Sequence, residues 1–248
     1  MPKEYLVAGA VTGDDVVRML VLPPAGVGAA FARPLAQHCP PGWLVMGARL
    51  PGRESRHKDV FTSMNDLIDE LTRTCMKLPG SGPLLIVGVC SGGFISVELA
   101  RALSAIPEFE LAGLCLVAPS RPDLDTRSLA DPGAVQQLIH ELIANGSIPP
   151  AVARSEEAMT VLLPALLQDI EMFSAYVPPR ASPLSAPVLV LEELVDEGSD
   201  DSGGGSWGDV ARVVVRHSIR DASSVLMRDF ARLPLALERY LPLFGFRQ

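Results

Sequence analysis

Residues 83–103 restrict the fold more than any other stretch of this chain. An apolar run of strand length (Leu84, Leu85, Ile86, Val87) meets Gly88-Val89-Cys90-Ser91-Gly92-Gly93. A helical pattern follows through Ile95, Val97, Leu99, Ala100 and Leu103. Strand, sharp turn and helix in that order are the setting of a G-x-S-x-G nucleophile elbow, where a strained backbone holds one side chain at the tip of a strand. The residues two positions to either side must then lack bulk. Gly88 and Gly92 meet that need around Cys90, whereas centring the turn on Ser91 would put Val89 at a flank. The residue presented is therefore a cysteine. A small buried cysteine in a glycine turn would use the same letters; the strand before and the helix after favour the elbow.

The rest of the chain suits that unit. Apolar runs at 16–22, 43–48, 111–118 and 187–191 read as strands buried on both faces, with 210–215 as a last strand. Helical patterns through Ala29, Phe31, Leu35 and Ala36, and over 59–78, lie between them. Buried strands alternating with helices predict an α/β fold with a mainly parallel sheet, and 248 residues suit a single domain, 1–248. The alternation stops from about 120 to 185, where two amphipathic stretches, 134–144 and 155–176, are bracketed by prolines. This all-helical insertion, 121–185, is expected to be a lid over an active site. Its apolar positions include Ile139, Leu142, Ile143, Leu162, Leu166, Met172 and Phe173. The acidic, glycine-rich stretch 192–209 is expected as a solvated loop, and 225–241 as a terminal helix.

Charge and cysteine usage narrow the partners. A net charge of −8 without a basic run argues against nucleic acid. The start of the chain lacks the pattern of a signal peptide, and no apolar stretch reaches membrane-spanning length, so no membrane partner is expected. Cys39, Cys75, Cys90 and Cys115 have no metal-ligand spacing and read as reduced thiols of a cytoplasmic protein without a metal. Cys115, inside an apolar run, is expected in the core.

Four collinear segments resemble the type II thioesterase family of the α/β-hydrolase fold, which serves polyketide and nonribosomal peptide assembly lines. Leu22-Pro23-Pro24-Ala25-Gly26 is similar to the family's F-P-x-A-G loop, and Leu50-Pro51-Gly52-Arg53-Glu54-Ser55-Arg56 to its Y-P-G-R-x-x-R segment. Gly88-Val89-Cys90-Ser91-Gly92 stands at its G-H-S-M-G elbow, and residues 162–169 resemble its L-x-P-x-x-R-A-D. The resemblance implies Cys90 as nucleophile, with oxyanion donors in the backbone N–H groups of Ser91 and Ala25. It implies Asp196 as the acid, with Asp123 as the fallback. The family histidine falls on Ala222, natural or introduced, and the nearest imidazole is His217, five residues upstream. The base is thus His217, or the position has none.

A thiolate at Cys90 would take an acyl chain by thioester exchange, helped by the positive potential at the start of the following helix. No cofactor is implied; the acyl chain would arrive on the phosphopantetheine arm of an acyl or peptidyl carrier protein. Carbon nucleophiles prefer thioesters to oxoesters, whereas hydroxide attacks both at comparable rates. A cysteine acyl-enzyme therefore suits release by ring closure. Within the wider family the resemblance is closest to the cysteine-dependent Dieckmann cyclases, which implies an off-loading cyclase forming a tetramate or pyridone ring. An editing thioesterase that hydrolyses stalled chains, and a degenerate member that only binds a carrier protein, are the alternatives.

Overall fold

The computed structural model describes residues 3–9, 17–60, 63–118, 132–144, 148, 150–177, 182–193, 207–219 and 233–246. Seven strands form one sheet: β1 (Tyr5–Val7), β2 (Val17–Leu22), β3 (Trp43–Ala48), β4 (Leu84–Val89), β5 (Leu111–Val117), β6 (Val188–Glu193) and β7 (Val214–Ile219). Their order is β1-β3-β2-β4-β5-β6-β7, and only β1 runs antiparallel to its neighbour. The helices are α1 (Arg33–His38), α2 (Met64–Cys75), α3 (Gly92–Ser104), α4 (Pro132–Ala144), α5 (Pro150–Ala153), α6 (Glu156–Ala175) and α7 (Leu233–Glu238). This is the expected α/β architecture with a mainly parallel sheet.

Side chains alternate across a strand, so one apolar run supplies two cores. Leu20, Leu22, Leu84, Ile86, Leu114, Leu116, Val188 and Val190 face α2 and α3. Met19, Val21, Leu85, Val87, Cys115, Val117, Leu189 and Leu191 face the other way, towards Leu35 of α1 and Leu233 and Leu237 of α7. Cys115 is fully buried, and burial pushes its thiol up, as expected of a core residue.

Several boundaries differ from the sequence reading. β1 was not anticipated, because three residues on a sheet edge carry too little pattern to be seen. Helix α2 begins at Met64 rather than 59, since the Ser63 hydroxyl accepts the Asp66 N–H and caps it there. The last strand is Val214–Ile219, not 210–215. Val210 follows a 3₁₀ turn at Trp207–Asp209, and Ala211 makes an isolated bridge to Leu184. Residues 194–206 and 220–232, and with them Asp196 and Ala222, lie outside the described residues, as does Asp123.

Within the insertion, the described helices are α4, α5 and α6. Ile148, Leu166 and Ile170 form a small core with Leu142, Ile143 and Leu162, and Ala25 packs against it. Met172 and Phe173 instead join the main core. No described helix is long and apolar enough to cross a membrane.

Candidate active site

The chain leaves β2 towards β3 on one side and leaves β4 towards β5 on the other, so the crevice between β2 and β4 is the switch point of the sheet. Ligands of open α/β sheets bind at such a point, beyond the carboxyl ends of the strands. Leu22 pairs with Gly88 there, which sets the Pro23–Val27 loop beside the elbow.

Cys90 has φ +52, a left-handed conformation that a non-glycine residue adopts at a cost. Its N–H donates to the Val117 carbonyl at 2.9 Å, carrying the β4–β5 ladder to the turn, and Gly93 N–H donates back to the Cys90 carbonyl at 3.0 Å. The flanking glycines are obligatory. A Cβ on Gly88 would lie 2.6 Å from Gly93 Cα and strike Ser96 Oγ; one on Gly92 would lie 2.6 Å from the Pro23 carbonyl and strike that of Leu22. The elbow predicted around Cys90 is therefore present, and Cys90 itself is half-buried. The other three cysteines are chemically quiet. Burial pushes Cys39 and Cys75 up to about 12, Cys39 with added repulsion from Glu238 and Cys75 despite attraction to Arg18.

Of the two expected oxyanion donors, the Ser91 N–H carries no hydrogen bond among the described residues. The Ala25 N–H does: it donates to Ser91 Oγ at 2.8 Å. The next amide, Gly26, donates to Asp169 Oδ2 of α6 at 2.8 Å. That carboxylate also takes both ends of the Arg53 guanidinium, at 2.5 and 2.8 Å, with Arg53 3% exposed and Asp169 1%. Arg53 in turn donates to the carbonyls of Pro51 and Val27. Gly26 has φ +74, and a Cβ there would meet Leu162 and Leu166 at 2.9 Å. Three of the segments that carry the family resemblance thus converge on one buried ion pair beside the elbow. The role of Arg53 and Asp169 was not anticipated; its only signal was the presence of a charged residue in segments 50–56 and 162–169.

Glu54 and Arg56 of the same segment hold local structure. Glu54 accepts from Arg49 and from the Ala30 N–H, and Arg56 pairs with Glu70 and Asp59. A second unanticipated group lies under the end of α6. Glu98, buried on α3, accepts from the Tyr176 hydroxyl at 3.1 Å, and Phe94 meets the rings of Phe173 and Tyr176 edge-on at 6.0 and 5.6 Å.

His217 is not brought to Cys90. It lies inside β7, in register with Leu191, Val117 and Val89, three strands from β4. At about 4.8 Å per strand that is roughly 14 Å. Its ring tilts against Tyr240, with centroids 5.5 Å apart. Among the described residues no cluster of His, Cys, Asp and Glu could hold a metal ion.

A mainly parallel sheet with a strained cysteine at the β4–α3 elbow, and a backbone loop beside it at the switch point, is an arrangement of the α/β-hydrolase type, and membership of the thioesterase family makes it an enzyme that processes acyl thioesters. The thioesterase domain family model matches residues 18–226, and the chain belongs to that family. It is 25% identical over 201 residues to the gramicidin S biosynthesis protein GrsT of Aneurinibacillus migulanus, covering 79% of this chain and 77% of that protein. Its fold is that of the type II thioesterase BorB from the borrelidin biosynthetic cluster (TM-score 0.78, 20% identity, 97% and 98% of the two chains covered). It is also that of RedJ, a thioesterase of the prodiginine pathway in Streptomyces coelicolor (TM-score 0.75, 17% identity, 90% and 89% covered).

Proposed function

We propose that this enzyme off-loads a polyketide or peptide chain from an acyl or peptidyl carrier protein by closing a ring through a Cys90 acyl-enzyme. The observation that carries the reading is a cysteine, rather than a serine, held at φ +52 between two glycines that admit no side chain. The Cys90 thiolate attacks the carrier-bound thioester, the carbonyl π electrons move to oxygen, and collapse expels the pantetheine thiolate. In a β-ketoamide chain the carbon between two carbonyls then gives up a proton, which ends on the Cys90 sulfur after that sulfur is released. The resulting carbanion forms a carbon–carbon bond to the acyl carbon, and Cys90 leaves as the thiolate in a Dieckmann closure to a tetramate or pyridone.

Asp196, following β6, is the carboxylate proposed to serve this step. The carbon acid is activated by its own carbonyls, so the ring closure places less demand on a base than hydrolysis does. His217 is given no part in it, being three strands from the sulfur. Hydrolytic editing is the second reading, favoured by the relatives: BorB is a type II thioesterase, and GrsT is named for a biosynthetic pathway.

The test is mass spectrometry after incubating the enzyme with a β-ketoamide chain loaded on a carrier protein. Ring product supports the cyclase, and free acid supports the editing enzyme. Cys90→Ala is expected to abolish both; a Cys90→Ala variant that still released ring would remove the nucleophile assignment.

A further inference from the structure

Serine is among the preferred residues at a helix N-cap, where its hydroxyl ordinarily accepts the N–H of the second or third helical residue. Ser91 stands at the N-cap of α3 and does not do this. The N–H groups of Gly93 and Phe94 go instead to the carbonyls of Cys90 and Ser91, at 3.0 and 3.1 Å. The hydroxyl oxygen is turned to a different element and accepts the N–H of Ala25 at 2.8 Å.

The consequence concerns charge on the reacting carbonyl. The Ala25 amide is the expected second oxyanion donor, and its proton is already committed to Ser91 Oγ. A hydroxyl that accepts one hydrogen bond still has its own proton to give, and accepting polarises the O–H towards giving it. Ser91 directly follows the nucleophile, and its oxygen lies 2.8 Å from the nitrogen of the other expected donor, so this proton is within reach of the place where the oxyanion hole is built. The Ala25 loop behind it is held by Gly26 N–H on the buried Asp169 carboxylate, so the amide is not free to turn away.

We propose that the Ser91 hydroxyl is a catalytic oxyanion donor, working with the Ser91 N–H and backed by the Ala25 N–H. The proposal rests on acyl transfer to Cys90 as set out above. As the Cys90 sulfur forms its bond to the thioester carbon, the carbonyl oxygen takes the π electron pair, and the Ser91 hydroxyl hydrogen-bonds that oxygen without transferring its proton. The carbonyl re-forms as the pantetheine sulfur departs with the electrons of its bond to carbon, and the proton lost from Cys90 ends on that thiol.

Two reactions of the same sulfur separate this role from a structural one. Acylation by a simple acyl-pantetheine thioester forms an oxyanion. Alkylation by iodoacetamide forms a carbon–sulfur bond and expels iodide with no oxyanion at all. Both are followed at Cys90 by mass spectrometry on the full-length wild type, Ser91→Ala and Ser91→Thr. Ser91→Ala should slow acylation on the order of 10²-fold, the loss typical of one oxyanion donor. Its alkylation rate should stay within about twofold of wild type, and Ser91→Thr should recover most of the acylation rate. A Ser91→Ala variant that acylates as fast as wild type, or faster, would mean that the freed Ala25 amide is the true donor, and the proposal falls. Equal loss in both reactions would make Ser91 a structural tie and also overturns it. If the wild type is alkylated but never acylated, the acyl-transfer reading of Cys90 fails, and the proposal fails with it.

Discussion

Helix α6 is fastened to the body of the enzyme at two places that differ in how completely their charges are satisfied. Asp169 lies within the helix and Tyr176 is the extended residue that caps its end. At Asp169 the carboxylate receives both arms of Arg53 and the Gly26 N–H, with the ion pair almost wholly removed from water. At Tyr176 the carboxylate of Glu98 receives one phenol at 3.1 Å, and Arg101 approaches no closer than 3.7 Å, its Nε without a hydrogen bond among the described residues. The first is a completed network and the second a partial one. A buried polar group gains specificity only when its partners are all present, so these two attachments should respond to substitution to different extents.

The sharpest break in that comparison comes at the completed pair. Asp169→Ala strands the Arg53 guanidinium inside the protein and leaves the Gly26 amide without its acceptor. Removing one partner of a buried pair costs about 3–5 kcal/mol. Urea unfolding should show a loss of that size, with acylation of Cys90 falling as well, because the loop carrying Ala25 is no longer held. A loss no larger than that of a surface ion pair would mean that the loop is held by packing on Leu162 and Leu166 alone.

Tyr176→Phe acts on the partial site and should cost much less, about 1 kcal/mol for one hydrogen bond. The Phe94 edge-on contact survives the change, since the ring is kept. Urea midpoints of the two variants measured together give the ratio directly. Equal losses would show that the Arg101 Nε and the buried Glu98 are better satisfied than their geometry indicates.

How much of this was legible in advance follows from the length scale of each feature. β2 to β6 and the elbow are contiguous, and their apolar runs and glycines can be read locally. The last strand was misplaced because Val210 and Ala211 look like its beginning but serve a turn and a bridge. The true strand, Val214–Ile219, carries Arg216, His217 and Ser218, and its edge position tolerates them, Arg216 pairing with Glu192 across to β6. That shift matters for the site, since it moves His217 from beyond a strand into the middle of one. The Arg53–Asp169 pair joins residues 116 apart, and no periodicity connects them. The diversion of Ser91 from its own helix to Ala25, 66 residues away, could not be read either, because a serine before a helix ordinarily caps it.

The smallest effect, and the most diagnostic of a partial network, is the pH response of Glu98. Burial raises its carboxyl above the usual range, and the Tyr176 hydrogen bond and Arg101 oppose this without cancelling it. Burial, with the neighbouring Glu98 carboxylate adding to it, pushes the Tyr176 phenol up to about 12. A carboxyl raised in the folded state favours the protonated form, so its contribution is fully present below the ordinary glutamate range and is lost as pH rises through the raised value. Glu98→Gln keeps an oxygen that accepts from Tyr176 and does not titrate. Its melting temperature relative to wild type should therefore climb as pH rises above the ordinary glutamate range and level off once Glu98 has ionised in the fold. A difference between Glu98→Gln and wild type that stays flat throughout would mean Glu98 titrates in the fold as it does in the open chain, and the contrast between the two attachments of α6 would reduce to one of hydrogen-bond number.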